Sequence, residues 1–108
     1  MAKTSRVAFP AAQRQARALG ERLRDARLRR RMSAAVMSER AGISRDTLNR
    51  LEKGDVSISL ATFIRVLQVL GLVADVDLLA RDDVLGRKLQ DMHQPGPLRR
   101  RTDDVGSD

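Results

Sequence analysis

An all-α fold, a bundle of four to five helices followed by a short strand, is predicted by three observations. Apolar residues recur at helical spacing in successive segments, and one later segment changes to a two-residue period. Serines 33, 44 and 59 stand before three of the helical segments, and glycines 42, 54 and 71 stand after them. The chain of 108 residues, 42% hydrophobic and 32% charged, has the size of one domain with one small core. Phe9 and Phe63 are its only aromatic residues, so the interior must be built from Leu, Ile, Val, Met and Ala.

Pro10 suits the first turn of a helix that runs through Ala-, Arg- and Gln-rich sequence to about Arg30. Propensity does not distinguish a start at Pro10 from one nearer Leu19. Leu19, Leu23 and Ala26 form the expected buried face, with Arg22, Arg24, Arg29 and Arg30 outside it. A second helix is predicted from about Ser33 to Ala41, with Val36, Met37 and Ala41 facing inward. Ser33 caps its first N–H groups, Gly42 takes the positive φ that ends it, and Ile43 plugs the corner. The third helix spans about Ser44 to Lys53 and stops at Gly54. At 100° per residue Leu48 and Leu51 share one face with Thr47 at its edge, which puts Arg45, Asp46, Asn49 and Arg50 opposite. A fourth helix begins after Ser59, carries Leu60, Phe63, Ile64, Leu67 and Leu70 as a core stripe, and closes at Gly71.

Beyond Gly71, Leu72, Ala74, Val76 and Leu78 alternate with Val73, Asp75, Asp77 and Leu79, which predicts a strand over about 73–79. One strand cannot satisfy its own backbone groups, and the chain offers no second of comparable quality. The expected partner is the same strand of a second subunit, which makes Leu72, Ala74, Val76 and Leu78 dimerisation residues of a two-fold homodimer. A fifth helix packed locally is the alternative. Residues 10–80 then form the main domain, and 81–93 an extension in which Asp82 caps a short helix carrying Val84, Leu85, Leu89 and Met92, weakened by Gly86. Residues 1–9 read as a disordered basic arm and 94–108 as a disordered tail holding Arg99 to Arg101, either a DNA arm or a solubilising end.

The net charge of +7 is unevenly placed. Residues 1–31 hold ten Lys/Arg and two acids, a balance of +8, so the excess sits on the arm and first helix. A basic stripe of this kind attracts phosphate, and anionic membranes or proteins as well. The scarcity of aromatics argues against single-strand binding by stacking. Cysteine is absent, which removes disulfides and Cys-based zinc sites, and His93 stands alone, so no metal or other cofactor is expected. No apolar run approaches the roughly 18 residues of a membrane span, and Val7 to Ala12 is too short and interrupted for a signal peptide. A cytoplasmic, nucleoid-associated protein is expected. With no Gly-rich phosphate loop and no nucleophile–base constellation, no catalytic residue is assigned and an enzyme is not expected.

Two short helices, each opened by a serine and joined by a turn at Gly42, have the layout of a helix-turn-helix reader of double-stranded DNA. Arg45 is the best candidate for a base contact, because its fork reaches O6 and N7 of guanine together, and Asn49 pairs with adenine in the same way. Ser44 and Thr47 suit a phosphate or a thymine methyl, while Arg50 and Lys53 reach the backbone. Asp46 is repelled by phosphate unless it accepts from cytosine or is neutralised, and its i,i+4 spacing favours a pair with Arg50. Ser33 and Ala34 open the second helix, whose outward-pointing N–H groups make both candidate DNA-binding residues. Arg27 is expected to brace the packing rather than to read bases. The arginines between 22 and 31 suit phosphate contact or an ordinary solvated face.

Leu19-Gly-x-x-Leu23, Arg27, Met32-Ser33, Gly42-Ile-Ser44, Thr47-Leu48 and Arg50-Leu-Glu-Lys-Gly54 occur in one register without a gap. In these positions the segment from Leu19 to about Leu79 resembles the phage-repressor-like helix-turn-helix family known as XRE or Cro/C1-type. The resemblance implies a phage-repressor-like bundle and a transcriptional repressor that reads an operator with an inverted repeat. Two positions depart from it: Ala34 replaces a phosphate-binding Gln, and Arg31 stands where a Gly often ends the first helix. Leu60-Ala-Thr-Phe-Ile-Arg-Val-Leu-Gln-Val-Leu-Gly-Leu72, with the strand-like segment after it, looks like HipB-type antitoxins. That likeness implies a dimer that binds its operator and a HipA-type serine/threonine kinase toxin. A solitary regulator without a toxin shares the same pattern, and a module that inhibits a kinase while binding DNA weakly is the competing class.

Overall fold

The computed structural model describes residues 10–93. The predicted arm, residues 1–9, and the predicted tail, residues 94–108 with its arginines, lie outside them. Two compact units divide the chain after Val76. The first holds helices α1 (Pro10–Arg29), α2 (Ala34–Ala41), α3 (Arg45–Glu52) and α4 (Leu60–Leu70).

Each short helix is opened by the serine expected to open it. Ser33, Ser44 and Ser59 hold extended backbone, and their hydroxyls accept from the N–H groups of Val36, Thr47 and Thr62. The ends are equally uniform. After α1, α2, α3 and α4 the residue at 31, 42, 54 or 71 takes positive φ, and the N–H groups there and one residue on donate back to carbonyls of the last turn. Three of these residues are glycines; the fourth is Arg31, at φ 55°.

The core lies where the four helices converge: Leu23 and Ala26 of α1, Met37 and Ala41 of α2, Leu48 and Leu51 of α3, Val66 and Leu70 of α4. Met37, Leu48, Leu51 and Val66 are fully enclosed, and each contributes about 1.5–3 kcal/mol by leaving water. Helix α1 packs on α3, and α2 packs on α3 and α4. Ile43 fills the corner between α2 and α3 as expected.

Two inward assignments are corrected. Val36 is exposed; the inward face of α2 is Ala34, Met37, Ser38 and Ala41, an i, i+3, i+4, i+7 row that accommodates a serine because Ser38 Oγ donates to the Ala34 carbonyl at 2.7 Å. Leu60 is 63% exposed at the first turn of α4, beyond the reach of the core, and Val66, absent from the expected stripe, is buried at 1%. Polarity pattern alone cannot supply a helix's rotation about its axis, which is set by what it packs on.

The predicted strand is also corrected. Val73–Leu78 is a 3₁₀ helix, so Ala74, Val76 and Leu78 occupy no strand, Leu72 precedes it packed against the core, and these residues form no strand ladder to join two subunits. The backbone requirement that called for a second subunit is met locally instead, as in the bond from the Asp75 N–H to the Leu72 carbonyl at 3.0 Å. The second unit contains α5 (Val84–His93). Its N-terminal cap is Asp83 rather than Asp82: the Asp83 carboxylate accepts from the Gly86 N–H at 2.9 Å, and Asp82 pairs with Arg87 at 2.9 Å. Val84, Leu85, Leu89 and Met92 of α5 are exposed.

Candidate nucleic-acid interface

The exposed face of α3 follows from the burial of its other face. Leu48 and Leu51 anchor the helix in the core, and Arg45, Asp46, Asn49, Arg50 and Lys53 are left exposed with Thr47 half-buried at the edge. The start of the helix is fixed by one hydroxyl. Ser44 Oγ accepts from the Thr47 N–H at 3.0 Å and donates to Thr47 Oγ1 at 2.9 Å, which leaves the hydrogen of the Thr47 hydroxyl free to donate elsewhere. Ser44 itself is therefore a cap first.

The other end of α3 is fastened to α1 by a close backbone approach and a buried ion pair. A Cβ on Gly20 would stand 2.5 Å from the Glu52 carbonyl oxygen and 2.6 Å from that of Leu51, so the helices touch at a residue with no side chain. Arg27 donates through Nε and Nη2 to the two Glu52 carboxylate oxygens at 2.8 and 3.0 Å, and through Nη1 to the Met32 carbonyl at 3.0 Å. The bond to Glu52 holds the guanidinium pKa above its ordinary value, against the effect of burial. Arg27 thus braces α1, α3 and the turn into α2, the structural role expected of it.

Between α1, the start of α2 and α3 lies an open groove of about 640 Å³. Arg24, Ala34, Arg45, Asp46 and Asn49 line it, with Arg27, Leu48 and Glu52 also contributing. The methyl of Ala34 is too short to cross it. Ser33, one residue earlier, is exposed and accepts from the Val36 N–H at 3.1 Å.

Arg50 approaches Asp46 across one turn, as their i,i+4 spacing favours, and makes its hydrogen bonds elsewhere. The Arg50–Asp46 approach is 3.9 Å, beyond hydrogen-bond length, with the Asp46 side chain 78% exposed. Arg50 instead donates to Asp55 at 2.8 Å and to Ser57 Oγ at 3.1 Å. Asp55 also accepts from the Ser57 N–H at 2.9 Å and hydroxyl at 2.7 Å. These bonds from Ser57, then the Arg50 guanidinium, hold the Asp55 carboxyl down at about 2. The cluster fastens the loop after α3, and Asp55 and Ser57 were not identified from the sequence. The Asp-x-Ser spacing, a side-chain turn signal, was the available clue. Lys53 has no ion-pair partner among the described residues.

The structure therefore brings Ala34, Arg45, Asp46 and Asn49 to one groove, with Ser33 and Thr47 beside its helix starts, and turns Arg50 toward its own loop. Arg24, one of the outward-facing arginines that suit phosphate contact or a solvated face, lines the same groove. Among the described residues no group of His, Cys, Asp and Glu suits a metal ion, and no helix is long and apolar enough to cross a membrane. A family model described as a helix-turn-helix domain matches residues 18–81. No curated protein matches the chain.

Proposed function

The chain belongs to the helix-turn-helix domain family, and from that premise we propose that it is a sequence-specific transcriptional regulator that reads double-stranded DNA with α3. The observation that carries this reading is the polar face of α3. Arg45 and Asn49 stand exposed over the groove, one turn apart, on a helix whose other face is locked in the core. A positively charged fork and an amide on such a platform suit guanine and adenine edges in a major groove, each worth about 1–3 kcal/mol of discrimination. Thr47, Ser33 and Lys53 suit the flanking phosphates. A protein of this kind works where the DNA is, at the nucleoid in the cytoplasm.

The regulator acts as a homodimer on an inverted repeat, by resemblance to the phage-repressor-like family and without a strand ribbon. A DNase footprint on the DNA upstream of its own gene tests this. Two protected half-sites about one helical turn, roughly 34 Å, apart are expected. One isolated half-site would refute the symmetric dimer, and no protection would refute sequence-specific binding.

The likeness of residues 60–72 to HipB-type antitoxins supports a finer role as antitoxin and autoregulator, with a HipA-type kinase as partner. Co-expression with a kinase encoded beside it should give a stable complex. Operator binding without that complex would make the protein a solitary regulator. Asp46 favours one other reading: its exposed carboxylate on the α3 face has Arg50 at 3.9 Å, too far for a hydrogen bond, and suits a kinase-inhibiting interaction module with weak DNA binding.

A further inference from the structure

Helix α1 begins eight residues before the segment matched by the family model. The last of these extra residues, Ala16 and Arg17, pack against the turn where the chain leaves α3. A Cβ on Gly54, where the chain leaves α3, would stand 2.5 Å from the Arg17 Cα and 2.7 Å from its nitrogen. Three successive approaches fix the relative course of the two helices. Arg24 lines the groove with Arg45 and Asn49, Gly20 abuts Leu51 and Glu52, and Arg17 abuts Gly54. Moving toward the start of α1 therefore means moving toward the end of α3, and α1 flanks α3 along its whole length.

Arg17 lies seven residues before Arg24, hence about 20° away around the helix and about 10 Å along it. Arg14 lies one turn further along and about 60° round from Arg17 toward the outer face, within reach of a long side chain. All three are exposed, and none makes an ion pair among the described residues. Glu21 is the acid on this edge.

We propose that Arg14, Arg17 and Arg24 form a second phosphate-binding row, which tracks one strand of a DNA duplex beside the groove that α3 enters. The inference rests on the DNA-reading role of α3 and adds contacts, at Arg14 and Arg17, outside the family-matched segment. Because phosphate carries no sequence, the row strengthens binding to any duplex and leaves selectivity to Arg45 and Asn49.

The test is the salt dependence of binding by the full chain and by its Arg14→Ala/Arg17→Ala variant, on the upstream duplex and on a scrambled duplex. Each phosphate contact contributes about 0.9 to the slope of log affinity against log salt, so the variant's slope should be shallower by about 1.8 on both duplexes. Between about 50 and 200 mM salt the advantage of the wild type should shrink about twelvefold. The preference for upstream over scrambled DNA should be unchanged, and Glu21→Gln should bind both duplexes more tightly at low salt. Circular dichroism of the variants should match that of the wild type, since all three side chains are exposed. Equal slopes, or weaker binding by Glu21→Gln, would overturn the row while leaving the α3 reading intact. A wild type that binds neither duplex would overturn both.

Discussion

Replacing Gly20 with alanine sets two physical effects against each other. In the interior of a helix, alanine is favoured over glycine by about 1 kcal/mol, so propensity alone predicts a stabilised protein. The contact with α3 predicts the reverse. The new Cβ would lie 2.5 Å from the Glu52 carbonyl oxygen and 2.6 Å from that of Leu51. An unstrained carbon–oxygen contact is about 3.3 Å, so α1 and the end of α3 must separate by about 0.8 Å. Neither obstacle is a side chain that could rotate away, which puts the cost near the upper part of the overpacking range, about 2–3 kcal/mol. The net loss is about 1–2 kcal/mol, a fall in Tm of about 4–16 °C for a domain of this size. Thermal unfolding followed by circular dichroism measures it. An unchanged or higher Tm would show that the helices do not meet at residue 20 and would refute the argument. If the fall is observed, selectivity for DNA should fall with it, because the same junction sets the angle of α3.

Three further outcomes follow from named contacts. Arg31→Gly should stabilise the protein by about 0.5–1 kcal/mol in urea unfolding, since relief of left-handed strain of about 1–2 kcal/mol exceeds the added flexibility of the unfolded chain; a loss of stability would mean that the Arg31 side chain has a structural contact. Glu52→Ala should cost about 3 kcal/mol by stranding the Arg27 guanidinium, and Arg27→Met combined with Glu52→Leu should recover much of the loss. Asp55 has a folded-state pKa of about 2, below its ordinary 3.8, so its contribution is complete above the unfolded value and disappears as pH falls toward the folded one. Acid titration of Asp55→Asn should accordingly show a shallower loss of stability between about pH 4 and 2 than the wild type, and parallel curves would show that the Arg50–Asp55–Ser57 cluster does not hold the loop.

The parts of the fold legible in the sequence were those governed by local chemistry. Ser33, Ser44 and Ser59 were read as helix starts and Gly42, Gly54 and Gly71 as helix ends because capping and positive φ act within a turn of the chain. Leu48 and Leu51 disclosed which side of α3 is buried because their neighbours are all polar. Where both faces of a helix carry apolar residues, pattern failed: Val36 and Leu60 were assigned inward, and Val66 was passed over. The alternation over 73–79 was real, yet its backbone needed a partner that a 3₁₀ turn provides without a second chain. In the site, Arg45 and Asn49 were located by helical spacing alone. The engagement of Arg50 with Asp55 was missed because it crosses the end of the helix into a loop, where no periodicity speaks.

If α3 reads base sequence, its selectivity must reside in Arg45 and Asn49. The measurement that tests it most directly is binding of the purified protein to its own upstream DNA and to scrambled DNA at two salt concentrations, with Arg45→Ala in parallel. The account predicts a preference for the upstream DNA that survives the higher salt and falls about tenfold or more in the variant. Equal binding to both DNAs, strongly weakened by salt and indifferent to Arg45, would contradict it and leave only a basic surface attracted to phosphate.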